Sequence, residues 1–145
     1  DVAGDFALLA VQKEIDLAYE SDGAGLMVAG NATMLRAAVT NLIDNALRYT
    51  PSGGHVTLDV RRREGEAVLA VCDDGPGISP DEREKVFNRF YRVLGNRDSE
   101  GSGLGLCIVR EIAQAHRGKV SLAEGEGGLG LRVELYLPLA AEPQA

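Results

Sequence analysis

The longest run of helical periodicity in the chain lies between Ala32 and Tyr49. Leu35, Leu42 and Ala46 recur there on one face, and Gly30-Asn31 precede them as a cap. Thr50-Pro51 and the glycines at 53 and 54 end it. From His55 the period changes to two. Val56, Leu58 and Val60 alternate with Thr57, Asp59 and Arg61, Glu64-Gly65-Glu66 makes a turn, and Ala67 to Cys72 returns as a nearly unbroken apolar run. Such a run predicts a central strand covered on both faces, which leaves Asp73 at a strand end. A second helix is expected from about Gly103 to His116, through Ile108, Val109 and Ile112. A terminal hairpin follows, with strands Lys119 to Glu124 and Leu129 to Leu137 around Gly125-Glu-Gly-Gly128. Shorter signals predict a helix over residues 5–12, strands at Glu14 to Glu20 and Leu26 to Ala29, a helical turn from Pro80 to Phe90, and a polar loop from Gly95 to Gly101. The tail after Pro138 is expected to fray.

With 145 residues the chain is long enough for one domain with a true core, read as residues 1–138 followed by a tail at 139–145. Eighteen glycines against three phenylalanines, four tyrosines and no tryptophan point to many loops, where binding usually sits. A net charge of −7 argues against nucleic acid as the main partner, because no face carries a run of Lys and Arg. Arg61-Arg62-Arg63 is the one basic cluster, and Glu64 and Glu66 after it mark it as a solvated hairpin end. Cys72 and Cys107 lie in apolar runs far from any CxxC spacing, so both are expected to be buried, reduced thiols suited to a reducing cytoplasm. No apolar stretch of membrane-spanning length and no signal-peptide pattern occurs, so the chain reads as a soluble piece of a longer protein without direct membrane contact.

Three segments carry chemistry. On the 32–49 helix, Asn41, Asn45 and Arg48 fall on one stripe beside the apolar face, with Tyr49 next to it. An amide oxygen such as that of Asn45 suits Mg²⁺ shared with substrate phosphates, Tyr49 offers a ring for a purine, and Arg48 offers charge for phosphate. In Asp73-Asp-Gly75-Pro-Gly77-Ile78, a carboxylate at a buried strand end can accept from an exocyclic amino group of adenine, and two glycines let the backbone approach a flat ligand. Gly101-Ser102-Gly103-Leu104-Gly105-Leu106 opens a helix, so its free N–H groups and helix dipole suit phosphate. The G-x-G-x-x-G at Gly125, Gly127 and Gly130 lies between two strands and reads as a hairpin turn, and no Walker-type G-x-x-x-x-G-K-[ST] is present. His55 and His116, the only histidines, show no carboxylate or thiol partner in the sequence and read as structural.

With these residues in place, the sequence resembles the catalytic and ATP-binding domain of bacterial sensor histidine kinases, within the wider group of gyrase, mismatch-repair and heat-shock chaperone ATPases. Asn41 to Tyr49 is similar to that family's N box, Asp73 to Ile78 to its G1 box, Phe87-Asn-Arg-Phe-Tyr-Arg92 to its F box, and Gly101 to Leu106 to its G2 box. The resemblance implies a two-layer α/β sandwich with a mixed, mostly antiparallel sheet of about five strands against three helices. It implies ATP and Mg²⁺ as ligands, Mg²⁺ on Asn45, the adenine amino group on Asp73, Tyr49 over the base, Arg48 and Arg92 toward phosphates, and a lid from Phe87 to Ser102 with Arg97 as a further phosphate contact.

The resemblance also implies a separate phosphoacceptor and dimerisation domain bearing the target histidine, a response regulator as the onward partner, and a cytoplasmic position in an inner-membrane sensor kinase. In the ATPase branch the residue four before the metal-binding Asn is typically a Glu that acts as base on water. Here it is Asn41, whose amide cannot take that proton. Asn41 and Arg92 are therefore the catalytic candidates, holding ATP for an external nucleophile with little hydrolysis. The alternatives are a serine kinase of the anti-sigma type, disfavoured by the well-formed Phe87 to Arg92 segment; a hydrolytic ATPase, disfavoured by Asn41; and a non-enzymatic docking module, which would be expected to have lost Asn45, Asp73 or the glycines.

Overall fold

Asn31 starts the first helix, α1 (Ala32–Tyr49), by accepting the Met34 N–H on its side-chain oxygen at 3.0 Å while its own carbonyl receives the Leu35 N–H at 2.9 Å. The helix stops where Pro51 forces Thr50 into an extended conformation, and the Thr50 hydroxyl and N–H both donate back to the Ala46 carbonyl. The structure is a computed structural model that describes residues 30–75, 77–87, 105–125 and 130–139, together with the backbone of 16–21. The expected helix at 5–12, the strand at 26–29 and the loop at 95–101 lie outside the described residues.

Five strands form one sheet: β1 (Asp16–Ser21), β2 (His55–Arg63), β3 (Glu66–Asp73), β4 (Lys119–Glu124) and β5 (Leu131–Pro138). Their spatial order is β1-β2-β3-β5-β4, with β1 parallel to β2 and every other pair antiparallel. The mixed, mostly antiparallel sheet read from the sequence is therefore present, with β3 at its centre. Glu64 and Gly65, at φ 48° and 80°, make the two-residue turn of the β2–β3 hairpin, the left-handed pair that matches strand twist. Beyond Pro138, the Leu139 N–H still donates to the Gly65 carbonyl at 3.0 Å.

The second helix, α2 (Gly105–Ala115), packs against α1 over the sheet. The segment expected to be one helical turn from Pro80 is instead two short 3-10 turns, Pro80–Glu82 and Lys85–Phe87. Pro80 is tolerated at the start of the first because its missing N–H would be unpaired there anyway. A single core joins Leu42, Ile43 and Leu47 of α1, Val109 and Ile112 of α2, and Val56, Val71, Val133 and Leu135 of the sheet. Each fully buried aliphatic side chain among them stabilises the fold by about 1.5–3 kcal/mol relative to exposure.

The two helices run antiparallel, and His116 shows how. Its Nδ1 donates to the Ile112 carbonyl at 2.8 Å, and its Nε2 accepts the Asn31 N–H at 3.1 Å, so the end of α2 meets the start of α1. Gly30 lies directly against the His116 ring, where a Cβ would overlap the imidazole. At the other end, the Asn41 side-chain oxygen lies 3.5 Å from where a Cβ on Gly105 would stand. The N-terminus of α2 thus faces the second half of α1.

Candidate nucleotide site

Strand parity aims Asp73 into the cleft. In the β2–β3–β5 ladder it aligns with Val56 and Leu131, two residues on from Val71, so its side chain leaves the sheet on the helix-facing side. There it is 8% exposed. Oδ1 accepts the Gly75 N–H at 3.0 Å and the Leu131 N–H at 3.3 Å, while Oδ2 takes no hydrogen bond from any described residue. Burial pushes this carboxyl above the ordinary aspartate value, and the two backbone N–H donors only partly offset it. A buried carboxylate with one oxygen open is suited to a ligand donor, which is the role a base amino group fills.

The backbone around Asp73 is packed closely enough to require glycine. A Cβ on Gly75 would come within 2.5 Å of the Tyr49 carbonyl, so the end of α1 rests on this loop. Gly77 has φ +73° and abuts the Gly130 carbonyl. Gly130 in turn has φ +72°, and its Cβ would overlap the Asp73 carbonyl. Gly130 is a site-building residue that the sequence reading set aside as a plain hairpin turn. The turn does join β4 to β5, but the Asp73↔Leu131 pairing lays Gly130 across the Asp73-Asp74 backbone. Leu131, whose N–H orients the carboxylate, was likewise missed.

On α1, Asn41, Asn45 and Tyr49 are half-buried at the cleft. Asn41 donates from Nδ2 to the Ala37 carbonyl at 2.8 Å, which leaves its oxygen facing the start of α2. None of the described residues hydrogen-bonds the Asn45 amide, so its oxygen remains available to a hard cation. Arg48 is exposed and donates from Nε to Asp44 Oδ2 at 2.8 Å, an i,i+4 pair along the helix surface. Gly105 and Leu106 open α2, and the Leu106 side chain is buried in the core, so only its backbone can serve a ligand. Arg92, Arg97, Gly101, Ser102, Gly103 and Leu104, and with them most of the predicted lid, lie outside the described residues.

Two expectations need correcting. His55 does have a carboxylate partner: its N–H donates to Asp74 Oδ1 at 2.8 Å and its Nδ1 lies 2.9 Å from Asp74 Oδ2. The Val56↔Asp73 register places the residue before β2's second position beside the residue after β3, a fact no sequence spacing reveals. The His55 backbone hydrogen bond is the main reason the Asp74 carboxyl sits below its ordinary value, opposite in direction to its neighbour. The clasp closes the β2–β3 end, so a structural role for His55 stands. Of the two cysteines, both free, Cys107 is buried as expected but Cys72 is only half-buried. It faces the outer side of the sheet, where Arg132 Nη1 lies 3.1 Å from its sulfur.

A separate cleft of about 160 Å³ between α1 and the hairpin end of the sheet is lined by Leu35, Val39, Val60, Ala67, Leu69, Leu135 and Leu137. Its apolar walls offer nothing to phosphate, and it lies at the opposite end of β3 from Asp73. The nucleotide candidate is therefore the cleft between α1, the start of α2 and the Asp73 loop.

The fold and this arrangement of a buried carboxylate, helix amides and glycines define a nucleotide-binding sandwich, and comparison with known proteins agrees. Residues 30–141 match the family of histidine kinase-, DNA gyrase B- and HSP90-like ATPases, and the chain belongs to that family. It is similar to the sensor protein kinase PmrB of Pseudomonas aeruginosa, with 44% identity over 138 residues, covering 95% of this chain and 28% of that protein. The sensor histidine kinase RppB of Synechocystis is 37% identical over 145 residues, covering 99% of this chain and 32% of that protein. The chain thus spans about three tenths of these relatives' length. Among solved structures, the mycobacterial sensor histidine kinase MprB superposes with a TM-score of 0.83 at 30% identity, over 97% of this chain and 94% of that one.

Proposed function

We propose that this chain is the catalytic domain of a sensor histidine kinase, extending to about residue 138 with a short tail. It binds ATP with Mg²⁺ and presents the γ-phosphate to a histidine on a separate dimerisation domain, for relay to a response regulator. The whole protein would hold this domain on the cytoplasmic side of the membrane. The observation that carries the reading is the Asp73 carboxylate, buried in the cleft with Oδ2 open and Oδ1 locked by two backbone donors.

The residues present fit Mg-ATP. Asp73 Oδ2 accepts from the adenine amino group, Tyr49 lines the base, and glycines 75, 77 and 130 leave room for the ring. The Asn45 oxygen serves Mg²⁺, which when bound neutralises phosphate charge. The N-terminus of α2, with Gly101 to Leu106 leading into it, offers backbone N–H groups to phosphate. Arg48 reaches phosphate only by leaving Asp44, a cost of well under about 1 kcal/mol for an exposed pair. Arg92 and Arg97 supply further charge. Asn41 contributes its oxygen as an orienting acceptor and cannot deprotonate water.

A thermal melt tests the pocket. ATP with Mg²⁺ is expected to raise the melting temperature while GTP with Mg²⁺ leaves it nearly unchanged, because guanine carries a carbonyl where adenine carries the amino group. Equal shifts with both nucleotides would remove Asp73 as the reader of the base. Asn41→Glu separately tests the kinase assignment. It places a carboxylate beside the start of α2 and is expected to raise slow ATP hydrolysis by roughly a hundredfold, the lower end of what a positioned general base contributes. Unchanged phosphate release would show that position 41 does not govern hydrolysis.

A further inference from the structure

Across β2, β3 and β5, Asp73 is the one polar residue in an otherwise aliphatic row. The core-facing positions beside it are Val56 on β2 and Leu131 on β5, and the next such row along the sheet is Leu58, Val71 and Val133. All five of these neighbours are buried, Val56 completely. The carboxylate therefore enters the cleft with no side chain in these rows able to donate to it.

Val56 is the nearest of them. The Asp74 N–H donates to the His55 carbonyl at 3.3 Å, which makes Val56↔Asp73 a non-hydrogen-bonded pair, the kind in which facing side chains approach most closely. Leu131 differs, because its backbone N–H already serves Oδ1. The Gly75 N–H goes to the same oxygen, so Oδ2 has only methyl groups as side-chain neighbours in its row. A base with an amino group aimed at Oδ2 satisfies it on binding. A purine without that group covers the carboxylate and supplies nothing, which leaves a charged oxygen buried without a partner.

We propose that Val56 is a specificity-determining residue of the nucleotide site: offering only methyl groups beside Asp73, it leaves the base amino group as the sole donor to Oδ2 once the cleft is filled. The inference rests on the ATP reading above. Asp73 accepts the amino group, and Val56 sets how strictly the site requires it. Threonine has nearly the shape of valine but carries a hydroxyl that can donate. At position 56 that hydroxyl serves Oδ2 in place of the base.

The test compares ATP with purine riboside triphosphate, which differs only in lacking the amino group on the base, by calorimetry with Mg²⁺ on the 145-residue chain. The wild-type chain is expected to prefer ATP by roughly tenfold to a hundredfold, the scale of one hydrogen bond to a charged group. Val56→Thr should cut that preference on the order of tenfold, chiefly by tightening the analogue rather than by weakening ATP. Damage to the fold cannot tighten a ligand. Val133→Thr makes the same exchange in the next row and should leave the preference unchanged. If Val56→Thr does not fold, Leu131→Thr offers a hydroxyl from the other side of Asp73 and carries the same expectation. A folded hydroxyl variant that keeps the wild-type preference, or an equal drop in Val133→Thr, overturns the proposal and leaves the ATP reading standing. A wild-type chain that binds both triphosphates equally, or neither, overturns the reading of Asp73 and this inference together.

Discussion

Asp73→Asn is expected to abolish adenine-selective binding and, in the same protein, to raise the stability of the nucleotide-free domain. Asparagine keeps Oδ1 as acceptor for the Gly75 and Leu131 N–H groups, so the loop geometry survives. It turns the open Oδ2 into an N–H₂ group that faces a donor on the base, which is repulsive where the carboxylate was attractive. The stability gain follows from burial. The folded-state pKa of Asp73 is raised, so its ionised form costs stability at neutral pH, and that cost fades as pH falls through the raised value. Removing the charge should recover that cost, read as a higher melting temperature for the nucleotide-free domain.

The same shift sets the pH dependence of binding. ATP affinity should decline on acidification beginning above the ordinary aspartate range, because protonation converts the acceptor into a donor. A less stable Asp73→Asn protein, or one that still prefers ATP to GTP, would contradict this account of the site.

Gly130→Ala should be the most damaging single methyl in the described chain. The residue sits at φ +72°, and the added carbon would overlap the Asp73 carbonyl and lie 2.8 Å from the Asp74 Cα, all backbone that cannot rotate away. Gly65→Ala is the control: φ is +80° but nothing lies within 4 Å. The Gly65 variant pays only left-handed strain, roughly 1 kcal/mol, while the Gly130 variant adds a steric clash and should lose about 3 kcal/mol or more. Urea unfolding of both measures the difference. Similar losses would mean that Gly130 does not buttress Asp73. The surviving folded fraction of Gly130→Ala should also bind ATP poorly, since the carbonyl it displaces belongs to Asp73, the proposed acceptor for the base.

Local physics made α1 legible in the sequence to the residue. Asn31, Pro51 and an uninterrupted apolar stripe all agree, and no distant contact is needed to place its ends. The alternation of β2 and the apolar run of β3 were legible for the same reason, and the central place of β3 followed from burial on both faces. The stripe of Asn41, Asn45 and Arg48, with Tyr49 beside it, was visible because helical spacing alone puts these residues side by side.

What escaped depends on register between strands far apart in sequence. The closeness of Gly130 to Asp73, the Leu131 N–H on the carboxylate, and the His55–Asp74 clasp all arise from the β2–β3–β5 ladder. Cys72 was expected to be buried because its run is apolar, yet parity turns it outward toward Arg132. Arg48 is the opposite case: its pairing with Asp44 is a local i,i+4 contact that spacing could have found.

The central claim is that this pocket holds ATP for transfer to a histidine on another domain. The most direct measurement mixes the chain with the helical hairpin domain bearing the acceptor histidine, Mg²⁺ and γ-labelled ATP, and follows label on the hairpin. The account predicts base-stable, acid-labile phosphohistidine that depends on the chain, is lost with Asp73→Asn, and is not formed from GTP. ATP bound by the chain with release only of inorganic phosphate, and no label on the hairpin, would contradict it.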